Sequence, residues 1–138
     1  MAGKSTYLED KLLNWMKGTA FGAAPATVYM ALFTTPPADD NTGGVEVSGG
    51  SYARAAITTS TGFSAISGGT APHQISNSGT VTFATPTANW GTIVAFAIMD
   101  ALTVGNLLYW NALPGPGQVI NNGIIASFAP NTLIVTED

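Results

Sequence analysis

Cysteine is absent from this 138-residue chain, so neither disulfides nor thiolate-bound metals can stabilise its fold. Charge is scarce too: Asp, Glu, Lys and Arg make up 9% of the residues, against an average of about 25% in soluble domains. A soluble protein normally uses mixed surface charge to hold its neighbours apart. The scarcity of charge therefore favours a surface that lies largely against partners, with a neutral free domain as the alternative.

The few basic residues are unevenly placed. Arg54 is the only cation after residue 17, and the other three are Lys4, Lys11 and Lys17. Proteins that bind DNA or RNA need several Lys and Arg side chains to neutralise phosphates. We therefore expect that nucleic acid is not a partner.

Long apolar runs are missing as well. The longest strongly apolar run, Ile93 to Met99, is far too short to cross a bilayer. Lys4, Glu9, Asp10 and Lys11 interrupt the region where a signal peptide would have its apolar core. The sequence predicts a protein made in the cytoplasm that neither inserts into a membrane nor is secreted.

Motifs for catalysis and for cofactor binding are lacking. The single histidine, His73, has no nucleophile elbow near it, and the acidic residues outside the helix and the tail occupy turns, where they usually bond local backbone. The oxygen ligands of Asp39 to Asn41 and Glu46 do not have calcium-loop spacing, and no phosphate loop or zinc pattern occurs. We predict that the protein is not an enzyme and that it has no catalytic residue, no cofactor and no bound metal. A glycan hydrolase that uses Asp100 or His73 is the competing hypothesis.

The first segment has the pattern of a short amphipathic helix. Thr6 and Glu9 have the spacing of a capping box, and Gly18 is placed to end the helix. A helix of about a dozen residues is marginal alone, so its apolar stripe must dock on its own sheet or on a neighbouring subunit. The stripe supplies four of the five predicted partner-binding residues: Leu8, Leu12, Trp15 and Met16.

After Gly18 the pattern changes to short β-rich runs separated by Gly, Pro, Asn and Ser, which is typical of a sandwich or barrel. Strands are predicted near 27–33, 52–59, 80–83, 92–99, 107–112, 123–128 and 132–136, with a weaker one near 118–120. Residues 60–79 read as a Ser/Gly-rich loop. The predicted organisation is a helical arm over residues 1–18 and a mainly β domain over residues 19–138. We expect a single antiparallel, jelly-roll-like β-sandwich with a short N-terminal α-helix.

Two of the predicted strands, Val28 to Phe33 and Ile93 to Met99, are apolar on both faces. An antiparallel strand with one solvated face would alternate apolar and polar residues. One face is expected to meet another sheet, and the opposite face needs cover from the helix, a long loop or another chain. From this pattern we predict a homo-oligomer, either a dimer or a trimer.

Five stretches resemble small structural proteins of tailed bacteriophages. They are VYMALFTTPP at 28–37, VEVSGGSYAR at 45–54, VTFATPTANWGTIVAFAIMD at 81–100, GNLLYWNAL at 105–113 and SFAPNTLIV at 127–135. The similarity spans most of the chain and includes the opening helix. The resemblance implies a virion component whose partners are its own copies and phage capsid or tail proteins. Within the EVSGGSYAR stretch, Arg54 is expected to pair with an acidic group across a strand or subunit boundary, and it is the fifth predicted partner-binding residue.

Two virion roles remain open at this point. The leading hypothesis is a capsid decoration or cement protein that binds the outside of the head as an oligomer. The alternative is a tail-fibre or tail-tip component that contacts host-surface glycans, with Trp90, Tyr109 and Trp110 as a stacking platform. The absence of internal repeats weighs against a fibre shaft but leaves a tip or adaptor open.

Overall fold

A computed structural model describes residues 3–67, 69 and 72–137. Helix α1 is followed by eleven short strands and a one-turn helix, α2. Their bounds are α1 Thr6–Met16, β1 Thr27–Thr35, β2 Val45–Glu46, β3 Ala55–Thr58, α2 Thr59–Gly62, β4 His73–Ser76, β5 Val81–Thr82, β6 Gly91–Ile93, β7 Ala95–Met99, β8 Leu107–Ala112, β9 Gln118–Ile120, β10 Ser127–Phe128 and β11 Ile134–Glu137. The mainly β class and the short N-terminal helix are confirmed, and the sheets are compatible with a sandwich.

The largest sheet is built around β1 and β7. Its order is β2-β1-β7-β8, and β3 pairs with the first half of β1 on the same side as β2. All pairings between named strands are antiparallel, with Ala31 opposite Ala97 at the centre of the β1–β7 ladder. Three two-stranded sheets, β5 with β10, β4 with β11 and β6 with β9, complete the described strands. The sheet is therefore organised by its two central apolar strands.

Both faces of the central strands are buried within one chain. One face carries Met30, Leu32 and Ile98, which pack with Trp90, Leu133 and other side chains from the smaller sheets. The opposite face forms a second cluster of buried residues: Ala31, Phe33, Ala95, Ala97, Met99 and Leu107. The two-sided apolar pattern is thus explained without a second subunit, and it no longer supports the predicted oligomer.

A loop helps to cover the second face. Trp110 packs against the cluster on this face, and its indole Nε1 donates a hydrogen bond to Asp39 Oδ1 at 2.7 Å. Pro37, two residues before Asp39, is buried. A long loop was one of the three expected covers, and the segment that follows β1 fills that role.

The beginning of α1 differs from the prediction. Thr6 is the first helical residue, and the N-cap is Ser5, whose Oγ accepts the backbone N–H of Leu8 at 3.3 Å. The predicted capping box between Thr6 and Glu9 is therefore wrong by one residue. The end is as predicted, because Lys17 is the C-cap and Gly18 adopts a positive φ of 90°.

The strands differ from the prediction in four places. The predicted loop over residues 60–79 contains β4, which pairs with β11, and the predicted strand over 123–128 is reduced to β10. The predicted run over 92–99 is divided at Val94, whose N–H donates to Phe33 and whose carbonyl accepts from Leu113. Strand β2 was not predicted. Its two residues are too short for a periodic signal.

Asn77 joins several turns at one point of the core. It is fully buried, and its Oδ1 accepts the Leu133 N–H at 2.9 Å. Its Nδ2 donates to the carbonyls of Gly79 and Ala129, both at 2.8 Å. A buried polar side chain is tolerated when its bonding capacity is satisfied, as it is here. Asn77 therefore links the end of β4 to the approaches to β5 and β11.

Replacing Asn77 with Ala leaves the Leu133 N–H in the core without its acceptor and removes the hydrogen bonds to the carbonyls of Gly79 and Ala129. We expect Asn77→Ala to lower the free energy of unfolding by about 3 kcal/mol or more. Ser78→Ala is the matched control, because Ser78 is exposed beside it, and it is expected to change stability by under about 0.5 kcal/mol. Urea unfolding followed by tryptophan fluorescence measures both. Equal stabilities of the two variants would contradict the role assigned to Asn77.

Candidate assembly surface

The start of helix α1 is fixed to the body of the protein by backbone hydrogen bonds. Ser5 is fully buried, and its N–H donates at 2.9 Å to the carbonyl of Leu108, the extra residue in a bulge between β7 and β8. The Thr6 N–H donates to the Asp39 carbonyl, also at 2.9 Å. A bulge leaves one residue of the ladder unpaired, and here the carbonyl of that residue receives the N-terminal segment.

The remainder of α1 is not covered by the described chain. None of its eleven residues is buried, and Leu8, nearest the anchored end, is half-buried. The exposed fraction is 41% for Leu12, 58% for Trp15 and 74% for Met16. These residues lie at i, i+4, i+7 and i+8, so they share one helix face. Only Leu8, the first residue of the stripe, is therefore docked on the chain's own sheet. The distal end of the helix faces solvent.

Arg54, the fifth predicted partner-binding residue, is instead held inside its own chain. Its Nε and Nη2 donate to the two carboxylate oxygens of Glu46 at 2.8 and 2.7 Å, in a bidentate pair. Nη1 donates to the carbonyls of Ala101 and Val104, at 2.7 and 2.8 Å. The Arg54 side chain is 7% exposed. Arg54 thus pairs with an acidic group, as expected, and it fixes the β7–β8 loop.

Tyr52 completes this polar cluster. Its hydroxyl donates to Glu46 Oε1 and accepts the Leu32 N–H, both at 2.9 Å. Burial raises the pKa of the Tyr52 hydroxyl, so it remains protonated and keeps its donor role. The three side chains connect β1, β2 and the segment before β3 to the β7–β8 loop.

The Arg54–Glu46 and Lys4–Glu137 ion pairs differ in exposure, and we expect their removal to have different effects. Arg54→Met leaves the Glu46 carboxylate, which is 25% exposed, without its cation and with only the Tyr52 hydroxyl as a donor, and should cost roughly 3 kcal/mol of stability. Lys4→Met removes the second pair, whose side chains are 30% and 43% exposed, and should cost under about 1 kcal/mol. Thermal and urea unfolding measure both variants. An equal loss in the two variants would show that burial does not set the strength of these pairs.

The second pair links the two ends of the chain. Lys4 Nζ contacts Glu137 Oε2 at 2.5 Å, and the Tyr109 hydroxyl donates to Glu137 Oε1 at 2.6 Å. Burial alone would raise the pKa of Glu137, but the hydrogen bonds from Lys4 and Tyr109 and the lysine charge together lower it. The pair therefore ties the residue preceding the α1 cap to β8 and to β11.

This cluster gives stability a defined acid dependence. Because the pKa of Glu137 is lower in the folded protein, its contribution is present above the ordinary value of 4.5 and is lost as pH falls through the folded value. We expect the melting temperature of Glu137→Gln to fall less than that of the wild type between about pH 6 and about pH 3. Asp10→Asn, a change on the exposed surface of α1, is the control and should keep the wild-type profile. An unchanged acid profile for Glu137→Gln would contradict this assignment.

An apolar groove lies next to the same cluster. Its volume is about 340 Å³, and it opens between the large sheet and the β4–β11 pair. It is lined by Val28, Phe63, Ile66, His73, Gln74, Ile75, Ile98, Leu108, Tyr109, Val135 and Glu137. Glu137 belongs both to the lining and to the Lys4 pair. Helix α1 therefore begins close to the edge of the groove.

The three aromatic residues predicted as a glycan platform do not form one. Trp90 is 5% exposed, lies edge-on to Tyr52 with ring centroids 5.2 Å apart, and donates from Nε1 to the Gly50 carbonyl. Tyr109 and Trp110 are half-buried and bond to carboxylates. Trp90 is a core residue, and its indole face is not available for stacking on a sugar.

The acidic and histidine side chains form no metal-binding cluster in the part of the chain that is described. Across those residues, no three His, Asp or Glu side chains gather closely enough to hold a metal ion. His73 Nδ1 lies 3.3 Å from the Ser67 carbonyl, and Asp40 Oδ1 accepts from the Thr42 hydroxyl and N–H. Neither described helix is long and apolar enough to cross a membrane. The exposed end of α1 and the groove are apolar surfaces that a partner would cover.

A comparison with protein families decides the class of protein. A family model described as podophage GP4 fiber I protein gp80 matches residues 3–136. The chain belongs to this family. No curated protein matches it. The matched range includes α1, β1 to β10 and all but the last residue of β11.

Family membership confirms the resemblance to phage structural proteins. The protein is a tail-fibre-like virion structural protein of a bacteriophage. Between the two virion roles that the sequence left open, the family favours the tail-fibre alternative over capsid decoration.

Proposed function

We propose that this protein is a tail-fibre component that joins its own copies and other tail proteins through the exposed apolar end of helix α1. The observation that carries the proposal is the exposure of Leu12, Trp15 and Met16 on a single helix face. Burying a large apolar side chain is worth about 1.5–3 kcal/mol, so a helix that leaves three of them in water gains much from a partner. In this function the chain has no catalytic role and acts within the virion, after synthesis in the host cytoplasm.

The division of the chain supports this function. Residues 1–18 serve as an assembly arm, and residues 19–138 form the β domain that carries it. The arm is held at its base by Ser5 and Thr6, so the direction in which the helix leaves the body is fixed before assembly. A surface that is already ordered loses less conformational entropy when it binds.

Charge scarcity supports an assembled state as well. Arg54 and Lys4 are engaged in ion pairs within the chain. With 9% of its residues charged, the chain has few side chains that would lose the hydration of a charge when a neighbouring subunit covers them. A dimer and a trimer both fit this composition, and many copies in one virion would make modest contacts effective.

Attachment to the tail gives the first test of this function. Gold-labelled antibody against the protein should bind the tail of intact virions in electron micrographs. Label on the head would instead support the decoration role. Absence of label from particles that contain the protein would place it in the interior and contradict an exposed fibre.

The α1 contact can be tested in the same system. We expect virions assembled with Trp15→Glu to contain the variant at no more than roughly one tenth of the wild-type amount, because a charge replaces a central apolar contact. Val119→Glu is the control: Val119 is 51% exposed, on β9, and its change should leave incorporation unaltered. Circular dichroism should show both variants folded. Normal incorporation of folded Trp15→Glu would contradict assembly through α1.

A further inference from the structure

We propose that the groove between the large sheet and the β4–β11 pair receives the distal end of helix α1 from a second copy of this chain. This inference rests on the proposed function, because it names the surface on which α1 docks. The described chain leaves the apolar end of α1 uncovered, and the described side chains line the apolar groove without filling it. The proposal places the first surface in the second.

The groove has the character of a protein-binding site. Its lining is formed almost entirely by aliphatic and aromatic side chains, including Val28, Phe63 and Ile98. Its volume of about 340 Å³ exceeds what one water molecule needs and lies in the range of pockets that hold ligands. Ile66 is 69% exposed at the groove. An apolar helix face laid into such a groove is a common mode of recognition between proteins.

The position of α1 favours a neighbour's groove over its own. The helix starts two residues after Lys4, which bonds Glu137 at the edge of the chain's own groove. With about 1.5 Å of rise per residue, its eleven residues span roughly 16 Å. The exposed fraction increases from Leu12 to Met16, toward the end farthest from the anchor. The distal end thus projects to where an adjacent copy can supply the covering surface.

Charge also favours a second copy as the occupant. The first seventeen residues carry three lysines and two carboxylates, for a net charge of +1. The rest of the chain carries one arginine and six carboxylates, for a net charge of −5. Lys11 flanks Trp15 on the helix, and Glu137 lines the groove. The helix of one copy is therefore electrostatically matched to the β domain of another.

The absence of cysteine from this chain allows a direct test with introduced cysteines. Met16→Cys and Ile66→Cys are prepared separately, one with an affinity tag, mixed in equal amounts and treated with a mild oxidant. A disulfide requires Cα atoms within about 7 Å, so it reports close contact. We expect the mixed Met16–Ile66 dimer to exceed either homodimer severalfold. Adding Trp15→Glu to the Met16→Cys chain should abolish it.

Two controls separate the possible outcomes. Val119→Cys replaces Ile66→Cys as an exposed position outside the groove, and an equal yield with it would indicate random collision and overturn the proposal. Predominance of the Met16 homodimer would show that α1 pairs with α1, which overturns the groove proposal but keeps assembly through the helix. Wild-type protein that sediments as a monomer, together with cysteine variants that form no crosslink, would overturn self-association, while the presence of the protein on the tail would still test the proposed function separately.

Discussion

The burial of both faces of the central strands is the constraint on which the rest of this structure depends. Ala31, Ala95 and Ala97 are fully buried on one face, and small side chains let loops approach the sheet closely. The other face is filled by larger residues and closed by the small sheets. The described segments that cover these two faces leave the distal end of α1 exposed.

Polar contacts fix what the apolar core cannot. The Arg54–Glu46–Tyr52 cluster holds the β7–β8 loop, and Val104 in this loop adopts a φ of 56° that is unfavourable for a β-branched residue. Asn77 holds the turns around β4 and β11. The Lys4–Glu137 pair joins the two termini. Each cluster joins segments that are distant in sequence, so a small domain with short strands is held in one arrangement from which α1 emerges in a defined direction.

The sequence was sufficient where a signal is local. The period of the apolar residues predicted α1, and the dense apolar runs predicted β1, β7 and β8. It was insufficient where a long-range contact decides the outcome. Strand β4 has a Ser/Gly-rich flank and forms because β11, about sixty residues later, supplies its partner. Glu137 and Lys4 are 133 residues apart, and no spacing rule could connect them. The partner-binding role of Arg54 remains a prediction. Its hydrogen bonds within the chain could not be inferred from the amino-acid composition.

Assembly through an exposed helix is the central claim of this account. A high-resolution electron cryomicroscopy map of the intact tail would test it most directly, because it would show α1 beside its neighbours. The account expects Leu12, Trp15 and Met16 to be buried against another protein subunit of the tail. A map in which this chain occupies the tail with the same helix face open to solvent would contradict it.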